Sequence, residues 1–231
     1  MKLMHPLFSS PIVFSENRIQ VLTIEHAPTF RDFVFELMAQ SEAQEGRFVL
    51  SEKDHVLDCA DCLRVISDYM HMDEIEKKIQ TKLINALLLE AQEELAEDTL
   101  LFSREVQRYL GKLAALADYP VAYEQSENLS ALVKAMDFRV DLKGLSAQEA
   151  LYEYISLCYR VMKKACIVLV QAKAYFSADE LRQLYDMARY KKWNLLLLEA
   201  HQYPNAIEGE EHRLFDADLC ELMLDPSGES V

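Results

Sequence analysis

The chain has 231 residues, the size of one ordinary domain or of a domain that carries a large insertion. Its 51% hydrophobic and 27% charged residues, with five glycines and six prolines, exclude disordered, collagenous and low-complexity polymers and supply a packed core. A formal net charge of −15 excludes indiscriminate binding to nucleic acid or to an anionic membrane.

In chain order, Pro11–Phe14 and Ile19–Ile24 are β-branched strand pieces on either side of a Glu16-Asn17 turn. Thr29 is placed to cap a helix, with Asp32 as its third-position partner. Phe30, Phe33, Val34, Leu37 and Met38 then give an amphipathic stripe, which predicts a helix over 30–41. Gly46 and a strand over 47–51 follow, so residues 1–70 read as a β-rich mixed subdomain.

Residues 73–117 predict two long helices. Ile75, Ile79, Leu83 and Leu87 line the first; Val106, Leu110, Leu113 and Ala117 line the second. The polar stretch 96–99 is the expected joint of this antiparallel hairpin. Tyr119-Pro120 stops the second helix, because proline lacks the amide donor. A short helix with Leu129, Leu132, Val133 and Met136 inward and a strand over 138–141 complete the region.

Ser146 with Glu149, and Ser177 with Glu180, are capping boxes that open two further helices. The first buries Leu151, Tyr154, Ile155, Cys158 and Met162; the second buries Leu181, Leu184, Met187 and Ala188. The apolar runs 166–170 and 193–198 flank the second helix, a βαβ unit whose strands are buried on both faces. The expectation is an α/β core with a parallel sheet, into which the helical hairpin is inserted.

No run reaches the roughly 20 apolar residues that span a bilayer, and Met1 to Phe14 has no apolar segment of secretory length. Five sparse cysteines suit a reducing compartment, so the chain is expected to be cytoplasmic. A phosphate-binding loop needs glycines that let backbone amides approach the phosphate. The turns at 24–29 and 171–177 contain none, which argues against nucleotide hydrolysis.

Cys59-Ala60-Asp61-Cys62 has the spacing of a redox or zinc half-site, with His55 and His71 as the nearby further ligands. It equally fits two semi-buried cysteines on a short element. Glu90, Glu93, Glu94 and Glu97 recur at helical spacing, with Asp118, Glu124 and Glu127 beyond them. Such a carboxylate face is relieved by a hard cation such as calcium or magnesium, or simply solvates the helix. Arg160, Lys163 and Lys164, and Arg189, Lys191 and Lys192, close two helices where cations complement the dipole. With Lys134, Arg139, Lys143 and Lys173 they make the C-terminal core locally basic, which permits sequence-independent phosphate contacts on one surface. No catalytic triad is visible.

Several motifs keep a familiar order along nearly the whole chain. They are Phe8-x-x-Pro11-Ile12, Val21–Glu25 leading to Phe30, Gly46-x-Phe48-Val49-Leu50-Ser51, and Asp73 with Lys77-Lys78-Ile79. Asp118-Tyr119-Pro120-Val121 before Leu132-Val133-Lys134, the βαβ unit over 166–199 and Phe215-x-x-Asp218-Leu219-Cys220 complete the set. In these the chain resembles the small ring-forming accessory proteins of type II-A CRISPR systems, which take part in acquiring new spacers.

That resemblance implies a non-enzymatic protein with a RecA-like α/β head lacking a working phosphate loop, over 1–72 and 138–231, and an inserted α-helical leg over 73–137. It implies a calcium-stabilised homotetrameric ring that threads double-stranded DNA ends through a lysine-lined hole. The implied partners are the CRISPR integrase complex and the RNA-guided effector nuclease, with no membrane and no nucleotide. Lys134 matches a family lysine near the channel, and Lys163, Lys164 and Lys173 extend the DNA-binding set by local charge. Glu90, Glu93, Glu124 and Glu127 are the expected calcium ligands, Glu124 and Glu127 keeping the family position. Two other readings stay open: a metal-dependent phosphohydrolase or ATPase on the same core, and a scaffold that recruits the integrase.

Overall fold

The computed structural model describes residues 1–53, 55–72, 75–123 and 129–224. The chain divides into two compact units, one of Met1–Glu74 with Leu142–Val231 and the other of Ile75–Asp141. The first unit begins with β1 (Lys2–Met4), β2 (Ile12–Val13), β3 (Ile19–Ile24), α1 (Ala27–Ser41), β4 (Val49–Glu52), β5 (His55–Leu57), α2 (Cys59–Cys62) and β6 (Leu63–Ile66). The second unit holds α3 (Lys77–Glu94), α4 (Ala96–Ala114) and α5 (Leu129–Ala135). The chain then returns to the first unit as α6 (Ala147–Arg160), β7 (Cys166–Val170), α7 (Ala172–Tyr175), α8 (Ala178–Lys191), β8 (Leu195–Glu199), β9 (Glu210–Phe215) and β10 (Glu221–Leu224).

The larger sheet has the order β10-β9-β3-β8-β7-β6. Every neighbouring pair is parallel except β10 with β9. Leu195–Leu198 and Cys166–Leu169 are fully buried, as unbroken apolar runs in a parallel sheet must be when both faces are covered. Both capping boxes form as expected, Ser146 with Glu149 on α6 and Ser177 with Glu180 on α8. Leu151, Tyr154, Ile155 and Cys158 are buried on α6, and Leu181, Leu184 and Ala188 on α8. On α8 Tyr185 takes the buried place expected for Met187.

The N-terminal region departs from expectation. The strand pieces near 12 and 21 do not pair with each other. β2 joins β1, with Ile12 opposite Leu3, in a four-stranded antiparallel sheet of order β2-β1-β4-β5. β3 instead runs between β9 and β8, where all six of its residues are buried. A strand apolar on both faces belongs in the middle of a covered sheet, not in a hairpin with a solvated face. Helix α1 also starts earlier, at Ala27, with His26 as N-cap and no side-chain cap. Pro28 fits that first turn because its missing amide would be unpaired there anyway. Thr29 lies inside the helix, its hydroxyl 2.8 Å from His26 Nδ1.

In the helical unit, α3 packs against both α4 and α5. The joint between the long helices is Leu95 alone, and 96–99 is already the first turn of α4. Glu97 and Asp98 favour that turn because their charge opposes the positive N-terminal dipole. The expected strand over 138–141 is absent; its backbone pairs with a side chain instead. Gln80 donates from Nε2 to the Phe138 carbonyl at 2.8 Å and accepts the Val140 N–H on Oε1 at 3.2 Å. Leu132 on α5 and Met136 just after it are exposed, not inward.

Candidate functional site

Four lysines carry the expected nucleic-acid contacts, and the structure divides them. Lys134 lies exposed in the last turn of α5, and Lys163 lies exposed just after α6 in a left-handed conformation, φ +55°. Lys164 is buried, and its ammonium donates to the carbonyl of Ala60 on α2. Lys173 on α7 has a side chain only 4% exposed, with its ammonium 2.8 Å from Glu210 Oε1. In this conformation Lys164 and Lys173 offer no ammonium to a phosphate.

Of the expected calcium ligands, Glu90 and Glu93 are exposed near the C-terminal end of α3. Glu97 does not continue their face, because the helix breaks at Leu95. Glu124 and Glu127 lie outside the described residues. Among the described residues no three His, Cys, Asp or Glu side chains gather to hold a metal. Calcium takes six to eight oxygens, so Glu90 and Glu93 do not by themselves make a site.

The Cys59–Cys62 motif forms the single turn of α2, capped by Asp58, whose carboxylate accepts the Ala60 N–H at 2.8 Å. Cys59 is buried and Cys62 half-buried. Burial raises both thiols above their ordinary pKa, with Asp58 and Asp61 adding to the effect. Reactive cysteines need the opposite shift.

The turns that follow β3 and β7 are laid out differently from a phosphate cradle. Pro28 removes one amide from the first. After β7 the amides are engaged: Gln171 donates to Leu198 O at 2.8 Å, Lys173 to Glu199 Oε1 at 3.1 Å, and Ala174 to Gln171 O at 3.1 Å.

What the structure does bring together is a buried polar cluster around Lys173. Glu210, the first residue of β9, receives the Tyr185 hydroxyl on Oε1 at 2.6 Å. Its Oε2 lies 2.9 Å from each of three nitrogens: the Ile207 amide, Lys173 Nζ and His212 Nε2. Burial opposes ionisation here, but the bonds from His212 and Lys173 outweigh it and hold the carboxyl at about 2. Glu199, the last residue of β8, is wholly buried, and its Oε2 has no hydrogen-bond partner. Burial pushes its carboxyl up to about 7, against the pull of the Lys173 amide and charge. Sequence reasoning missed both glutamates. The one signal in the chain was Glu199 ending an otherwise wholly apolar strand.

A family model described as CRISPR-associated protein (Cas_Csn2) matches residues 40–219. The CRISPR-associated protein Csn2 of Streptococcus agalactiae is 24% identical over 208 residues, which cover 86% of this chain and 88% of that protein. Among solved structures, cbiO1 from Clostridium perfringens, part of the ABC transporter complex cbiONQ, is 8% identical with a TM-score of 0.47, over 92% of this chain and 79% of its own. A nucleotide-free ATP-binding cassette from an ABC transporter is 11% identical with a TM-score of 0.45, over 94% of this chain and 85% of its own. At these TM-scores neither cassette bears on the activity of this chain.

Proposed function

The chain belongs to the CRISPR-associated Csn2 family, and from that premise we propose that it is a non-catalytic protein that binds double-stranded DNA ends without sequence preference during spacer acquisition. In this reading it acts as a homotetrameric ring with a RecA-like head and a helical leg. The family match over 40–219 is the observation that carries the proposal. Two features of the chain support it. The turns where a nucleotide-hydrolysing core would hold phosphate have no glycine, and the amides after β7 are engaged within the fold. Along α4, Leu100, Leu101, Phe102, Tyr109 and Leu113 are more than 40% exposed, apolar area that a second copy would remove from water.

Lys134 and Lys163 are the cations we assign to the DNA backbone. Calcium belongs to the same proposal, with Glu90 and Glu93 completed by Glu124 and Glu127 or by a neighbouring copy. Because Lys164 and Lys173 are held inside the fold, a scaffold that recruits the integrase and the effector nuclease is the second reading. Anisotropy titrations with blunt linear and covalently closed duplexes separate the two. A DNA-end binder prefers the linear duplex, and its affinity falls steeply with salt as counterions are released. Equal, salt-insensitive affinity for both forms, or none, would sink the DNA-end reading and leave the scaffold.

A further inference from the structure

The cluster around Lys173 has a charge imbalance that its geometry resolves in one way. Two buried carboxylates, Glu199 and Glu210, lie near one ammonium, that of Lys173, which binds Glu210, while Glu199 is bound by the Lys173 backbone N–H. The groups that face Glu199 are Lys173 from α7, Glu210 from β9, Tyr185 from α8, Tyr203 from the segment after β8 and Tyr69 from the segment after β6. The donors are unevenly shared. Glu210 collects the Tyr185 hydroxyl, the Lys173 ammonium, the His212 ring and the Ile207 amide. Glu199 receives backbone N–H groups from α7, that of Lys173 on Oε1, and nothing on Oε2. An ionised Glu199 would leave a bare, buried oxygen beside a second carboxylate, which is costly where water is excluded. A proton on Oε2 removes both problems.

We propose that Glu199 and Glu210 form a proton-dependent latch that fastens α7 and the segment 200–209 to the larger sheet while Glu199 Oε2 carries a proton. The segment is tied into the cluster at two points: Tyr203 lies with its ring centroid 5.7 Å from the Lys173 ammonium, and the Ile207 amide binds Glu210. Loss of the Glu199 proton to solvent leaves two carboxylates competing for Lys173. Water reaches the freed Oε2 only when the segment or α7 moves away. The pH at which Glu199 titrates, about 7 through burial, places the release close to neutrality. This device is independent of DNA binding.

The test is a carbon-13 titration of the glutamate side-chain carboxyls in the intact protein, with Glu199 assigned through its own backbone. Amide hydrogen exchange is followed over the same pH range in the wild type and in Glu199→Gln, a neutral mimic of the protonated side chain. We expect the Glu199 carboxyl to titrate near neutrality. Exchange across 200–209 should rise at least several-fold through that transition in the wild type and stay flat in the variant. A Glu199 carboxyl that titrates in the ordinary carboxylate range near 4.5 overturns the proposal. So does an exchange profile with the same pH dependence in both proteins. The wild-type titration decides the matter even if Glu199→Gln fails to fold.

Discussion

Gln40 and Phe48 exchange two hydrogen bonds: the Gln40 amide nitrogen donates to the Phe48 carbonyl at 2.9 Å, and its oxygen accepts the Phe48 N–H at 3.0 Å. A buried side chain of α1 thus acts as the strand partner of the residue just before β4. Gly46 makes room for it, since a Cβ there would lie 2.5 Å from Gln40 Cδ. We expect Gln40→Leu to cost about 2–4 kcal/mol in urea unfolding, because it strands two buried backbone groups. Gly46→Ala should destabilise by displacing the same amide, and the double variant should cost less than the sum.

His5 is fully buried against the rings of Phe8, Phe33 and Phe48, the nearest centroid, that of Phe33, at 4.4 Å. Burial holds its imidazole below the ordinary 6.5, outweighing the pull of Glu36. The unfolded chain therefore takes up this proton first as pH falls. The contribution of His5 is complete above 6.5 and is lost as pH drops from there through the lower value held in the fold. Glu36 is affected first by burial, which raises it, but Arg47 wins and holds it below 4.5. Its contribution is likewise lost in acid. Glu199 runs the other way: its raised pKa favours the fold at low pH and weakens it as pH rises towards about 7. Denaturation midpoints of His5→Phe should show a shallower loss of stability below pH 6.5 than the wild type, and an unchanged slope would contradict the assignment.

The four lysines should separate by type of readout. Lys134→Glu and Lys163→Glu are expected to weaken duplex binding and to lower the slope of log affinity against log salt by about one unit for each phosphate left without its cation. Lys173→Met should instead lower the unfolding temperature, because it leaves Glu210 buried with its cation gone. Its effect on the salt slope should be negligible. Lys164→Met should behave like Lys173→Met, since its ammonium is bound to Ala60.

Thiol chemistry offers a simple check on the Cys59–Cys62 motif. Cys59, Cys158 and Cys166 are buried, Cys62 is half-buried and Cys220 is exposed. Burial raises the thiols of Cys59, Cys62 and Cys166. A disulfide reagent should therefore label Cys220 fast in the native protein, and all five thiols after denaturation. Fast labelling of Cys59 and Cys62 as a pair would revive a redox role.

The parts of the fold legible in the sequence are those written in local chemistry. Leu195–Leu198 and Cys166–Val170 announce buried strands because a parallel sheet tolerates no polar face, and Ser146-x-x-Glu149 announces a helix start through two bonds made within four residues. β9 is not legible because Glu210, Glu211, His212 and Arg213 look like a surface loop. Two of these charges are buried through partners outside the strand: Glu210 through Tyr185 and Lys173, and Arg213 through Ser10, Pro11 and Glu221. Lys164 and Lys173 mislead for the same reason. A lysine reads as a free cation until the fold supplies the carbonyl or carboxylate that occupies it.

Light-scattering mass in solution, with calcium and then with a chelator, in the presence of linear or closed-circular duplex, tests the central proposal most directly. The expected result is a calcium-dependent particle of about four times 26.7 kDa that takes up only duplex with free ends. A monomer indifferent to calcium and to DNA ends would contradict it.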